Sequence, residues 1–178
     1  MKNFRSGFVS IIGRTNVGKS TLINNLVGEK VAIITPKTQT TRTQMRAIVN
    51  RENSQIVFID TPGIHKPKSK LGEIMNNTAL GTMPNVDLIL FLIEATGKEI
   101  DKENKTVLEK IKKLNKKTIL VINKIDLIKK ERLLELIDIY SGEYNFEDII
   151  PISAKENEGV AELLDEIEKH IPIRTSIL

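Results

Sequence analysis

The sequence predicts an α/β domain, a three-layer α/β/α sandwich around a sheet of about six strands, mostly parallel with one antiparallel edge strand. Three observations lead there. Short apolar runs alternate with amphipathic stretches along the 178 residues, the pattern of a sheet buried on both faces and covered by helices. One pair of strand-like runs is joined only by Glu52, Asn53 and Ser54, too short a link for a parallel crossover. The chemically distinctive residues follow directly after apolar runs, where open α/β sheets place their ligands.

In chain order, residues 8–12 form the first buried strand and 21–27 the helix-like stretch after it. Residues 45–51 alternate apolar and polar, and pair with the strand at 55–60 as an antiparallel hairpin. Apolar runs at 56–59, 88–93, 118–122 and 149–152 read as strands buried on both faces. Three stripes at helical spacing lie between or after them: Val107, Ile111 and Leu114; Leu133, Leu136, Ile137 and Tyr140; Val160, Leu163, Leu164, Ile167 and Ile171. Each is needed to cover the sheet, so each is assigned to core packing and not to a partner. Internal repeats, low-complexity segments and a second domain are not evident.

Composition narrows the class. Forty per cent apolar and 28% charged residues suit an ordinary globular domain. Without cysteine, neither disulfides nor a thiolate metal site can support the fold, which agrees with a reducing, cytoplasmic setting. The basic start and its short apolar run fit neither a signal peptide nor a membrane span. The net charge of +4 is carried largely by lysines, with Lys110, Lys112, Lys113, Lys116 and Lys117 near one helix end and Lys66, Lys68 and Lys70 in one loop. Solvated helix and loop faces account for the first group. A weak attraction to nucleic acid or anionic lipid is the other reading, with few aromatics, 4%, to stack on bases.

The loop after the first strand carries the most specific signal. Gly13, Arg14, Thr15, Asn16, Val17, Gly18, Lys19 and Ser20 fit a phosphate cradle: glycine, four free positions, then Gly-Lys-Ser, between a strand and a helix. The glycines let backbone N–H groups turn inward on a phosphate chain, and the helix that begins around Thr21 adds its positive end. Lys19 reaches the β- and γ-phosphates, and the Ser20 hydroxyl takes a position on Mg²⁺. A turn that merely joined strand to helix would require neither the lysine nor the hydroxyl.

The later strands end in matching chemistry. Asp60, Thr61, Pro62 and Gly63, followed by Ile64, place a carboxylate where it can hold Mg²⁺, with a glycine N–H for the γ-phosphate. Asn123, Lys124 and Asp126 follow the 118–122 strand. The Asp126 carboxylate can accept from N1–H and the exocyclic amine of guanine, whereas adenine would set an acceptor against it. Asn123 tethers the surrounding loops, the Lys124 stem covers one face of the base, and Ser153, Ala154 and Lys155 offer a backbone N–H to guanine O6.

With these four elements in this order, the chain resembles the P-loop GTPases, whose P-loop NTPase fold is the sandwich expected above. Within them, Thr38, Gln39, Thr40, Thr41 and Arg42, the stretch 63–72, and Asn85, Val86, Asp87 and Leu88 resemble the bacterial Era, Der and MnmE group, and Era most closely, over nearly all of the chain. The resemblance implies a switch I in residues 29–44 with Thr41 completing the Mg²⁺ shell, so that Lys19 and Thr41 become the candidate catalytic residues, and Ser20, Thr41, Asp60 and Asn16 the candidate metal ligands. It implies GTP and GDP as ligands, hydrolysis of GTP, and segments 35–44 and 64–84 that order with GTP and loosen with GDP. It further implies a G domain at 1–172, a linker beginning at 173–178, and a C-terminal KH domain, absent here, that binds 16S rRNA in assembly of the small ribosomal subunit. A monomer with a candidate peripheral contact at the inner membrane completes the implied picture.

One position departs from the wider superfamily. Ras uses a glutamine just beyond this glycine to orient water, whereas Ile64 cannot hydrogen-bond one. Some similar GTPases use K⁺ with a phosphate-loop asparagine as ligand, and Asn16 stands at that position; a side chain that only braces the loop is the other reading of Asn16. Two other readings stay open: a guanine-nucleotide binding switch with negligible hydrolysis, and a Der- or MnmE-type GTPase with another target.

Overall fold

The structure, a computed structural model, describes residues 3–13, 17–27, 32–34, 45–60, 86–97 and 100–176, with backbone alone at 27, 32–34, 45, 46 and 60. Its elements are β1 (Arg5–Ile12), α1 (Lys19–Val27), β2 (Ala32–Ile34), β3 (Met45–Asn50), β4 (Ser54–Asp60), β5 (Leu88–Glu94), α2 (Lys102–Leu114), β6 (Thr118–Asn123), α3 (Lys130–Ser141), β7 (Asp148–Pro151) and α4 (Val160–His170), with a 3₁₀ turn at Ile125–Leu127. They form one sheet in the order β2-β3-β4-β1-β5-β6-β7.

Strands β4, β1, β5, β6 and β7 run parallel, as their helical connections require. The expected hairpin is present: β3 pairs antiparallel with β4 from Asn50↔Gln55 to Met45↔Asp60, and Arg51 N–H closes it on Ser54 O at 2.8 Å. The sheet has seven strands where about six were expected. The additional one, β2, lies in the stretch assigned to switch I and pairs with β3 through Ala32↔Ile48, Ile33↔Ala47 and Ile34↔Arg46. Three residues are too few to carry a periodic signal, so this strand is specified by its neighbour. It also moves the antiparallel strand from the edge to the second place.

Alternation along the buried strands sends successive side chains to opposite faces. Val9, Ile11, Leu88, Leu90, Leu92, Ile119 and Val121 meet Leu22, Ile23 and Leu26 of α1 and Val160, Leu163 and Ile167 of α4. Ile12, Ile89, Phe91, Ile93, Leu120 and Ile122 meet Val107, Leu108 and Ile111 of α2 and Leu136 and Tyr140 of α3. Each large apolar side chain so buried contributes about 1.5–3 kcal/mol, and all three expected stripes are used in this way. Tyr140 meets Phe91 edge to face, with ring centroids 6.3 Å apart.

The ends of α2 explain part of its lysine content. Asp101 caps the first turn by accepting from Asn104 N–H at 2.7 Å, Lys112 and Lys113 lie in the last turn beside its negative end, and Asn115 closes it in the left-handed region at φ 50°. Lys116 Nζ donates to Val86 O at 3.0 Å.

The stretch expected to begin a linker lies across the amino end of the sheet. Ser6 N–H donates to Pro172 O at 3.1 Å, Arg5 and Ile173 form an antiparallel bridge, and Arg174 pairs with Asp87 at 2.6 Å. A Cβ on Gly7 would lie 2.9 Å from Ile171 Cβ, so the glycine is what lets this segment come so close. Among the described residues no helix is long and apolar enough to cross a membrane.

Candidate functional site

Parallel register brings the candidate segments to one edge. Ile11 of β1 pairs with Asp60 of β4, Ile12 with Phe91 of β5, Glu94 of β5 with Asn123 of β6, and Ile122 with Pro151 of β7. Gly13, Asp60, Asn123 and Ser153 thus stand at or just past the carboxyl ends of four strands in one sheet, the place where such sheets bind ligands.

The phosphate loop is packed at both of its described ends. A Cβ on Gly13 would lie 2.8 Å from Leu92 O, and Val17 is fully buried. Gly18 adopts φ 92°, a region that L side chains avoid, and a Cβ there would run into Asn123 Nδ2. Two independent constraints therefore demand glycine at position 18. Helix α1 starts at Lys19, with Leu22 N–H donating to Gly18 O at 2.9 Å. No acidic residue occupies its first turn. Ser20 and Thr21 are exposed there. Arg14, Thr15 and Asn16 lie outside the described residues.

Asn123 joins the two halves of the site. It is 2% exposed, its Nδ2 donates to Val17 O at 2.8 Å, and its Oδ1 accepts from Ala154 N–H at 2.9 Å. One amide thus satisfies a phosphate-loop carbonyl and an N–H of the Ser153–Lys155 segment, the tethering role expected from sequence. Ser153, fully buried, donates its hydroxyl to Asp126 Oδ1 at 2.8 Å and accepts from Glu156 N–H at 3.2 Å. Asp126 and Lys155 are exposed, with the Asp126 carboxylate held by the buried serine at the mouth of the edge. Lys124, at φ 67°, sends its Nζ to Glu94 Oε2 at 2.9 Å.

The metal expectation has one described donor. Ser20 presents a hydroxyl at the start of α1, and the β4 backbone brings position 60 to the same edge. Hydroxyl and carboxylate oxygens are a hard donor set suited to Mg²⁺, and among the described residues no group of three or more His, Cys, Asp or Glu gathers instead. Thr61, Pro62, Gly63, Ile64, Thr41 and both expected switch segments, apart from β2, lie outside the described residues, as does the Asp60 side chain.

Three contributors carry no motif signal. Glu94 ends β5 and holds Lys124; Arg132 of α3 donates to Gly97 O at 2.8 Å, fixing the loop after β5; and Asn25 of α1 donates through Nδ2 to Ala154 O. Each is a common polar residue whose partner is distant in sequence, so spacing alone could not single it out.

The sequence profile of a family described as 50S ribosome-binding GTPase matches residues 8–124. The chain belongs to this GTPase family. Within the family it is similar to GTPase Era of Ruminiclostridium cellulolyticum, 48% identical over 170 residues that make up 96% of this chain and 57% of that relative. A crystal structure of an Aquifex aeolicus Era variant bound to GDP.AlF4⁻ superposes with a TM-score of 0.84 at 40% identity, covering 98% of this chain and 60% of that one. An Era structure in complex with MgGDPNP and nucleotides of 16S ribosomal RNA gives the same TM-score at 41% identity and the same coverage. The Era resemblance read from the motifs therefore holds over almost the whole chain, which spans 57% of the R. cellulolyticum protein's length.

Proposed function

We propose that this chain is the nucleotide-binding part of an Era-type GTPase, binding GTP and GDP with Mg²⁺, hydrolysing GTP to GDP and phosphate, and switching conformation between the two states. The observation that carries the proposal is the amide of Asn123, which ties the phosphate loop to the segment that orients Asp126. A phosphate site and a guanine site are coupled through one buried side chain.

In this reading Asp126 accepts from N1–H and the 2-amino group of guanine, and the Ser153 hydroxyl fixes the carboxylate in place. Ala154 N–H is engaged with Asn123, so the Lys155 N–H is the donor assigned to O6. The Lys124 stem lies against the base. Gly13, Arg14, Thr15, Asn16, Val17, Gly18, Lys19, Ser20 and Thr21 surround the phosphates, where the N-terminus of α1 and the Lys19 ammonium stabilise the charge that grows on the phosphoryl oxygens. Ser20, Asp60 and Thr41 hold Mg²⁺, which neutralises part of the same charge when bound. Thr61, Pro62, Gly63 and Ile64 flank the γ-phosphate. Asn16 is a candidate K⁺ ligand, a role motivated by the apolar Ile64, which cannot orient water as a glutamine does.

Two titrations and one kinetic experiment test this. GDP should displace a labelled guanine nucleotide at least ~100-fold better than ADP, because a base with an acceptor facing Asp126 leaves buried polar groups unpaired; equal affinities would defeat the reading. Single-turnover hydrolysis with Mg²⁺, in K⁺ and then in Na⁺, measures catalysis itself. Turnover that is faster in K⁺ and loses that stimulation in Asn16→Ala supports the K⁺ role, and unchanged stimulation removes it. Tight binding with no turnover in either salt favours the second reading, a binding switch, which Ile64 itself motivates.

Beyond this chain, the G domain is assigned to residues 1–172 with the linker from 173. The family description names the 50S particle, but the Era structure bound to 16S ribosomal RNA is 41% identical over 98% of the chain. The small ribosomal subunit is therefore the proposed target, with 16S rRNA contacted mainly by a C-terminal KH domain and its maturation the process served. A cytoplasmic monomer with peripheral contact at the inner membrane is the proposed location and state.

A further inference from the structure

Glu94 closes β5 directly opposite Asn123, and the nucleotide reading gives it no role. Its Oε2 accepts from Lys124 Nζ at 2.9 Å, with the glutamate side chain 19% and the lysine 33% exposed. Lys124 adopts φ 67°, a left-handed conformation uncommon outside glycine and asparagine, and its side chain spans from the end of β6 to the end of β5. The loop that follows Glu94 is tied down twice more: Ala95 N–H donates to Asn123 O at 2.7 Å, and Arg132 donates to Gly97 O at 2.8 Å. The acceptor is thus fixed before any ligand arrives.

We propose that Glu94 is a positioning residue for the purine base. Anchoring the Lys124 ammonium at the end of β5 fixes the methylene stem beside Asp126, so the stem meets the base as a preformed apolar surface. A free lysine stem would have to be ordered by the nucleotide, at the expense of binding free energy. The inference rests on the guanine-nucleotide reading above. It differs from a base-edge contact in one respect: an apolar surface meets every purine plane alike, so loss of the anchor weakens GDP and IDP by the same factor. Asp126 discriminates between them, because IDP lacks the 2-amino group.

The test is fluorescence titration of GDP and IDP against the whole chain, comparing wild type with Glu94→Ala, Glu94→Gln, Lys124→Met and the double variant Glu94→Ala/Lys124→Met. Ordering one long side chain corresponds to about threefold to tenfold in affinity. Glu94→Ala should weaken both nucleotides by that factor with their ratio unchanged. Glu94→Gln, which keeps an acceptor for Nζ, should recover part of the loss. In the Lys124→Met background Glu94→Ala should have no further effect. Wild-type affinity in Glu94→Ala, a changed GDP to IDP ratio, or an undiminished effect without Lys124 would each overturn the assignment. Failure of the guanine reading is distinguishable, since wild-type chain would then bind ADP as well as GDP; that outcome would overturn this assignment too.

Discussion

Replacing Asn123 with alanine removes two buried hydrogen bonds at once, and its cost can be worked from the geometry. The amide donates to Val17 O at 2.8 Å and accepts from Ala154 N–H at 2.9 Å. Val17 is 0% and Ala154 1% exposed, so water is poorly placed to replace either partner. An orphaned buried carbonyl and an orphaned N–H cost about 1–3 kcal/mol each, giving about 2–6 kcal/mol in all. For a domain of this size each kcal/mol lowers Tm by roughly 2–4 °C, so nucleotide-free Asn123→Ala should melt about 4–24 °C below wild type. Calorimetry or circular dichroism of the nucleotide-free chain measures this. The isosteric Asn123→Asp separates the two bonds: a carboxylate can still accept from Ala154 but must face the Val17 carbonyl with like charge, so it should be no better than alanine. A nucleotide-free Tm of Asn123→Ala within about 2 °C of wild type would refute the reasoning. The phosphate loop and the 153–155 segment would then be held independently of this amide.

Further outcomes follow from the same contacts. Gly18→Ala combines a strained positive φ, worth about 1–2 kcal/mol, with a Cβ driven into the Asn123 amide, so titration should register at least a ~10-fold loss of GDP affinity. Ser153→Ala removes the hydroxyl that holds Asp126 Oδ1; about 1 kcal/mol, or roughly fivefold in GDP affinity, is expected, and a competition assay should find GDP losing more than IDP. Arg174→Ala removes a partly exposed pair with Asp87 and the hydrogen bond from Arg174 Nε to Ser6 O at 3.0 Å, so melting should fall by the equivalent of about 1–3 kcal/mol. GDP affinity should stay as in wild type, because the pair sits at the amino end of the sheet.

Much of this domain could be read locally. Runs such as 119–122 are apolar at every position because they are buried on both faces, and stripes such as Val107 and Ile111 recur at helical spacing because one face of α2 meets the sheet. The motif residues were legible for a related reason: parallel strands deliver everything that follows them to one edge, so chain order maps onto spatial neighbourhood. The hairpin was legible from a link too short to allow anything else. What tertiary structure alone decided are the pairings between positions far apart. Asn123 reaches Val17 across 106 positions and Ala154 across 31, and Lys124 reaches Glu94 across 30. The three residues of β2 became a strand because β3 offered an unpaired edge, and the segment after α4 turned back onto β1 because Gly7 leaves room for Ile171. Periodicity records which face of an element is buried, but a polar side chain finds its partner only after the sheet has set strand order and register.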